Sequence, residues 1–160
     1  MNSKFKSYAP VFGVLAIVVV LSIIAYKNFR VGEDIVMPKV MDELIKPYVK
    51  LIGNGDFDQA YSNHTSIDYK RKYTQARYLA AQDSNFTKFG KITDIKPVSG
   101  IMISEKSTSK PWIYKGTFAY IGEKDTMRIV IDVTLEDGVF KIYNTYNSYL
   151  AISSVTPVIY

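Results

Sequence analysis

Residues Ser7–Tyr26 read SYAPVFGVLAIVVVLSIIAY, twenty positions without a charge. At 1.5 Å per residue a helix of that length covers about 30 Å, the thickness of a bilayer's hydrocarbon core. The stretch is expected to be a transmembrane helix, with Tyr8, Gly13, Leu15, Val19, Ile23 and Tyr26 among its anchoring positions. Ala9 and Gly13 also form a small-xxx-small pair, a pattern that lets helices approach closely.

A cleaved signal sequence would share the basic start, Lys4 and Lys6, and the apolar run. The run is longer than the roughly 7–15 residues of a signal's apolar region. No small-x-small site follows it, because Ala25 has Ile23 two positions before it. An uncleaved anchor is therefore expected. A short tail at residues 1–6 ahead of a long C-terminal domain favours an N-terminus in the cytoplasm. The domain then lies on the extracytoplasmic side of the cytoplasmic membrane.

The net charge of +5 belongs largely to the flanks of this segment. Setting Lys4, Lys6, Lys27 and Arg30 aside leaves 16 bases against 15 acids beyond residue 30. A near-neutral domain lacks the basic footprint of a nucleic-acid binder. With no cysteine, disulfides, thiol catalysis and cysteine metal sites are excluded.

Downstream of the anchor, residues 27–34 read as a polar juxtamembrane linker, and residues 35–148 as one domain. Val36, Val40, Leu44, Tyr48 and Leu51 or Ile52 recur at helical spacing, with Pro47 expected to kink or divide the helix. Gly53-Asn54-Gly55 should end it. Asp56 is placed to cap a short helix over residues 57–63, and Thr74 to cap another over residues 75–89 before Gly90. Residues 64–73 have no clear period.

From residue 92 the period becomes two. Strands are expected over residues 92–105, bent at Pro97 or Gly100, then 112–121, 126–135 and 139–146. Asp137-Gly138 is a strong hairpin signal. In the third strand Ile129, Ile131, Val133 and Leu135 should share one face, with Arg128, Asp132 and Thr134 on the other. The fold class is α+β: a transmembrane helix, then two to three helices packed on a curved four-stranded antiparallel sheet. Residues 149–160 form an apolar, uncharged tail.

The Gly55-Asp56-Phe57-x-x-Ala60-Tyr61 turn, the Thr-capped helix ending NFTKFGKI and the four strands resemble the nuclear-transport-factor-2-like (cystatin-like) superfamily. The resemblance covers residues 36–147. It implies a curved sheet wrapped around the helices, with a cone-like space between them. The superfamily holds both enzymes and binding modules, so the fold alone assigns no activity.

Candidate chemistry is sparse. His64, Tyr61, Trp112 and Asp132 are candidate pocket residues, since enzymes of that superfamily often place such side chains in the cone. Against this, a lone histidine at a helix end is commonly a surface or capping group. Asp132 is expected to face solvent or to pair with Lys115 or Lys141 on a neighbouring strand. Lys70, Arg71 and Lys72 are the one basic cluster, suited to lipid headgroups or simply to a solvated face. No phosphate loop, nucleophile elbow, paired-carboxylate motif or cofactor motif appears in the sequence. The expected function is that of a non-catalytic, single-pass accessory protein. Its domain would bind a protein partner as a small subunit or assembly factor of a membrane complex. The alternative is a small-ligand-binding or enzymatic domain using the sheet–helix cavity.

Overall fold

The computed structural model describes residues 3–103 and 112–148. The turn expected at residues 106–110 and the apolar tail at 149–160 lie outside the described residues.

Helix α1 (Ser3–Arg30) starts within the expected N-terminal tail. It continues without interruption through a first π-helical segment (Val31–Val36), α2 (Met37–Val40), a second π segment (Met41–Ile45) and α3 (Lys46–Asn54). Residues 27–34, expected as a linker, are therefore helical throughout. Their polarity marks a change of surroundings rather than a break in the backbone. Arg30 and Asp34 pair across one turn at 3.2 Å, an arrangement that supports helix. Among the described residues one helix is long and apolar enough to cross a membrane, and its most apolar stretch has no buried residues.

Pro47 does not divide the helix. Each π segment ends just before a proline, Pro38 in one case and Pro47 in the other. The residue preceding each proline donates to the carbonyl five positions back: Met37 to Gly32, and Lys46 to Met41. A proline cannot donate to the carbonyl four back and its ring crowds that oxygen. The wider π turn makes room for the ring, so the chain winds on.

The same segments set the buried stripe. Val36, Val40, Leu44, Tyr48 and Ile52 are buried, as are Met37, Met41, Ile45 and Val49. Both rows repeat every four residues. In a 3.6-residue helix each four-residue step overshoots by about 40°, so Ile52 would end roughly 160° from Val36. The π segments place more residues in a turn and absorb that drift, which keeps both rows on the sheet.

Gly55 ends α3 in the left-handed region (φ 83°), where glycine carries no Cβ penalty. Helix α4 (Phe57–His64) follows; Asp56 stands at its cap position, but its side chain makes no capping hydrogen bond. Residues 64–73 contain a short helix, α5 (Ile67–Lys72), which Ser66 caps by accepting the Tyr69 N–H at 3.0 Å. Helix α6 (Gln75–Phe89) is capped as expected, Thr74 Oγ1 accepting from the Arg77 N–H.

Four antiparallel strands follow in the order β1 (Ile92–Ile103), β2 (Ile113–Gly122), β3 (Thr126–Glu136) and β4 (Val139–Ser148). The pairing register shifts between Pro97 and Ser99, where a bend was expected, and again in β4 opposite Asp132 and Val133. Such irregularities bend and twist strands locally. Asp137 and Gly138 both have positive φ, as the tight β3–β4 turn requires. Tyr114, Phe118 and Tyr120 of β2 and Met127, Ile129, Ile131 and Val133 of β3 are buried under the helices. Leu135, expected on that face, lies past the core's edge and is 49% exposed. Thr134 and Asp132, expected on the opposite face, are also buried. Fully burying a side chain such as Leu44, Ile45 or Phe118 contributes about 1.5–3 kcal/mol.

Two backbone approaches fix the long helix on β1. A Cβ on Gly32 would stand 2.8 Å from the Gly100 carbonyl oxygen, and one on Gly53 would stand 3.0 Å from that of Ile92. The helix thus runs antiparallel beside β1 and touches it near both ends. Gly100 is itself constrained, since a Cβ there would meet the Tyr114 hydroxyl at 1.8 Å. That hydroxyl instead lies 3.0 Å from Met37 Sδ. On the opposite flank the chain at Thr65 and Ser66 pairs with Ile142 and covers part of the free edge of β4.

Candidate functional site

The space between helices and sheet holds a cavity of about 80 Å³. Tyr48 enters it from α3, Tyr69 from α5 and Tyr78 from α6; Tyr120 and Thr145 close the sheet side. Gln82 and Asn85 lie four and seven positions after Tyr78, on the same side of α6, and add amide groups to the wall.

Aromatic packing shapes the cavity. The rings of Tyr61 and Tyr78 stand 5.2 Å apart, and those of Tyr69 and Tyr73 4.9 Å. The Tyr48 and Tyr78 hydroxyls share a buried hydrogen bond at 2.9 Å. Tyr61 donates to the Tyr73 carbonyl at 2.7 Å, and Tyr73 to Asn144 Oδ1 at 3.2 Å. The Tyr120 hydroxyl is buried and has no hydrogen-bond partner among the described residues.

Burial pushes the phenols of Tyr48, Tyr69, Tyr78 and Tyr120 above their usual value. They are accordingly neutral at physiological pH. The site can donate and accept hydrogen bonds but supplies no phenolate base. Among the described residues no group of three or more His, Asp or Glu side chains could hold a metal ion.

The expected pocket residues do not converge. Tyr61 belongs to the tyrosine cluster. His64 stands at its edge, half-buried, with its ring 6.2 Å from that of Tyr48. Burial and the neighbouring Lys141 lower its pKa. Trp112 lies at one end of the sheet, 6.3 Å from Phe140. Asp132 occupies the other face of the sheet, with Oδ1 3.6 Å from Lys115 Nζ. That is the cross-strand pairing the sequence allowed, since Lys115 and Asp132 are direct register partners.

Lys70, Arg71 and Lys72 share α5 but engage separately. Lys70 donates to the Ser62 carbonyl at 2.7 Å, Arg71 pairs with Asp68 at 3.1 Å, and Lys72 sits 4.5 Å from the Tyr143 ring centre. Of the anchor residues, Leu15, Val19, Ile23 and Tyr26 are exposed, and a Cβ at Gly13 would meet nothing within 4 Å. Tyr8 lies in α1.

The sequence singled out Tyr61 as a pocket candidate, and Tyr61 packs against the cluster through Tyr78. Tyr48 was visible as a member of the apolar repeat from Val36 to Ile52, not as a pocket group. The 78–82–85 spacing was the one available pointer to Gln82 and Asn85. Compared with known proteins, the chain matches no family model and no curated sequence.

Proposed function

We propose that this chain is a single-pass membrane protein that presents a nuclear-transport-factor-2-like domain to a protein partner at the outer face of the cytoplasmic membrane. The observation that carries the reading is the unbroken helix from Ser3 to Asn54. From Phe12 to Tyr26 it is uncharged and exposed on all sides, and from Val36 to Ile52 it forms the spine of the core. An all-round apolar helix calls for an apolar surrounding, and a bilayer supplies one. Lys4 and Lys6 before the span are matched by Lys27 and Arg30 after it, so the orientation belongs to the proposal alone. A domain fixed to its anchor presents its surfaces at a set height, which suits a small subunit or assembly factor of a membrane complex. Extraction from native membranes in mild detergent, followed by crosslinking and size analysis, tests this. A defined stoichiometric complex is expected, and a monodisperse monomer with no crosslinked partner overturns the reading.

The unpartnered Tyr120 hydroxyl favours a second role, the binding of a small neutral polar molecule in the tyrosine-lined cavity. At about 80 Å³ the cavity is well below the ~300–1,000 Å³ typical of drug-sized ligand sites, and suits a few waters or a fragment-sized molecule. Native mass spectrometry of the purified chain checks this. A retained small-molecule adduct that disappears in Tyr120→Phe supports it, and an adduct-free mass for the parent chain removes it.

A further inference from the structure

The geometry points to a second membrane contact: we propose that the end of the sheet nearest the span sits in the interfacial layer of the bilayer through an apolar rim. The rim consists of Ile67, Trp112, Leu135, Val139 and Phe140. The inference rests on the reading of Ser7–Tyr26 as a membrane span.

Direction comes from the two glycine approaches. Gly53 lies at Ile92 and Gly32 at Gly100, so β1 runs toward the span as the helix runs away from it. The end of β1 at Ile103 and the Asp137-Gly138 turn are therefore on the span's side of the sheet. Height follows from the two rises. Ile103 lies three residues beyond Gly100, about 10 Å along the strand. The same distance back along the helix from Gly32 is about six or seven residues, which reaches the level of Tyr26. Tyr26 is the last residue of the uncharged stretch.

The register carries that level across the sheet. Ile103 pairs with Ile113, Ile113 with Thr134, and Thr134 with Lys141. Trp112, Leu135 and Phe140 stand one position nearer the span than this row, and Val139 stands two. The Ile67 N–H donates to the Glu136 carboxylate at 3.0 Å, which brings Ile67 beside the same turn.

These residues are apolar at a place where water would meet them. Leu135 is 49% exposed, Val139 51% and Ile67 60%. Trp112 and Phe140 are half-buried behind them. Contiguous exposed apolar groups mark interaction sites, and Trp favours the headgroup level of a bilayer. The opposite turn, residues 122–125, is built of Gly122, Glu123, Lys124 and Asp125 instead. Glu136 pairs with Val139 and Asp137 stands one position nearer the span, so two carboxylates share the headgroup level with the rim and attraction to anionic lipid is not its basis. The contact is apolar and should withstand salt.

The chain has no cysteine, so single-cysteine variants can each carry one polarity-sensitive fluorophore. Val139→Cys, Leu135→Cys, Lys124→Cys and Val19→Cys are placed in the full chain, in phosphatidylcholine vesicles with and without brominated lipid. Labels at 139 and 135 should shift to the blue, lose emission to brominated lipid and resist aqueous iodide, at low and high salt alike. The label at 124 should do none of these. A label at 139 as open to iodide as the one at 124 overturns the proposal. So does one shielded from iodide but untouched by brominated lipid, which would mean a protein covering, or one released by salt. The label at 19 separates the two readings. Lipid quenching at 19 without quenching at 139 leaves the span intact and removes only the rim, whereas no quenching at 19 removes both.

Discussion

One helix meets two surroundings in this molecule. From Phe12 to Tyr26 its side chains are exposed all round and none is charged. From Val36 to Ile52 two rows are buried, while Lys39, Asp42, Glu43, Lys46 and Lys50 face water. The backbone is continuous across the change. The difference lies in where the apolar residues stand: on every side in the first half, and on one side with a four-residue repeat in the second. A helix buried by its own domain needs a stripe, and one buried by lipid needs only a length.

The sharpest test of that contrast is a matched pair of truncations. Leu44→Ala removes a fully buried side chain and should cost the domain about 2–5 kcal/mol. Leu15→Ala, in the exposed half, should leave domain stability unchanged. Denaturant titration in detergent, followed by Trp112 fluorescence, reads both. Equal effects would break the division.

A glycine pair comes next. Gly32→Val drives side-chain atoms into the Gly100 carbonyl and should cost about 1–3 kcal/mol through overpacking. Gly13→Val meets nothing within 4 Å and should be neutral in the same titration.

Smaller effects separate two hydroxyls of the core. Tyr48→Phe strands its hydrogen-bond partner, the Tyr78 hydroxyl, and should cost about 1 kcal/mol. Tyr120→Phe removes a buried hydroxyl that lacks a partner among the described residues and should be neutral or mildly stabilising. The order reverses if Tyr120 holds a ligand.

Proton linkage gives the last two tests. Burial raises the phenols of Tyr48, Tyr69, Tyr78, Tyr114 and Tyr120, so the native state keeps protons that the unfolded chain releases near pH 10. Stability is then full below about pH 10 and falls as pH rises beyond it, with tyrosinate absorbance of these residues appearing only on unfolding. His64 acts at the acid end with a smaller slope. Its pKa is lowered by burial and by Lys141, so the unfolded chain takes up a proton first. Stability should decline as pH drops below about 6.5 toward the lowered native value, and His64→Gln should flatten that decline.

Much of the architecture was written in local pattern. Alternation placed all four strands, Asp137-Gly138 marked its turn, and Gly55 and Thr74 marked helix limits. The long helix was harder to see. The charges at residues 27–34 looked like a linker because a change of solvent and a break in structure leave the same polar signature. The four-residue repeat from Val36 to Ile52 was visible, yet its departure from 3.6 residues per turn signals π winding only once the helix is known to stay on one sheet. The candidate site was less legible still. It depends on Tyr48, Tyr78 and Tyr120 arriving from three elements, and no sequence spacing relates them. His64, Trp112 and Asp132 drew attention by chemistry alone and ended at an edge, at one end and on the far face.

The glycine approaches have a mechanical consequence. Clamped at Gly32 and Gly53, the helix has no joint between the lipid and the sheet. A continuous helix held at two points couples the orientation of its N-terminal half to that of the sheet. A span answers a thinner bilayer by tilting. If Ser7–Tyr26 spans a bilayer as proposed, a tilt of the span carries the sheet with it, and bilayer thickness then sets the angle at which the domain is held.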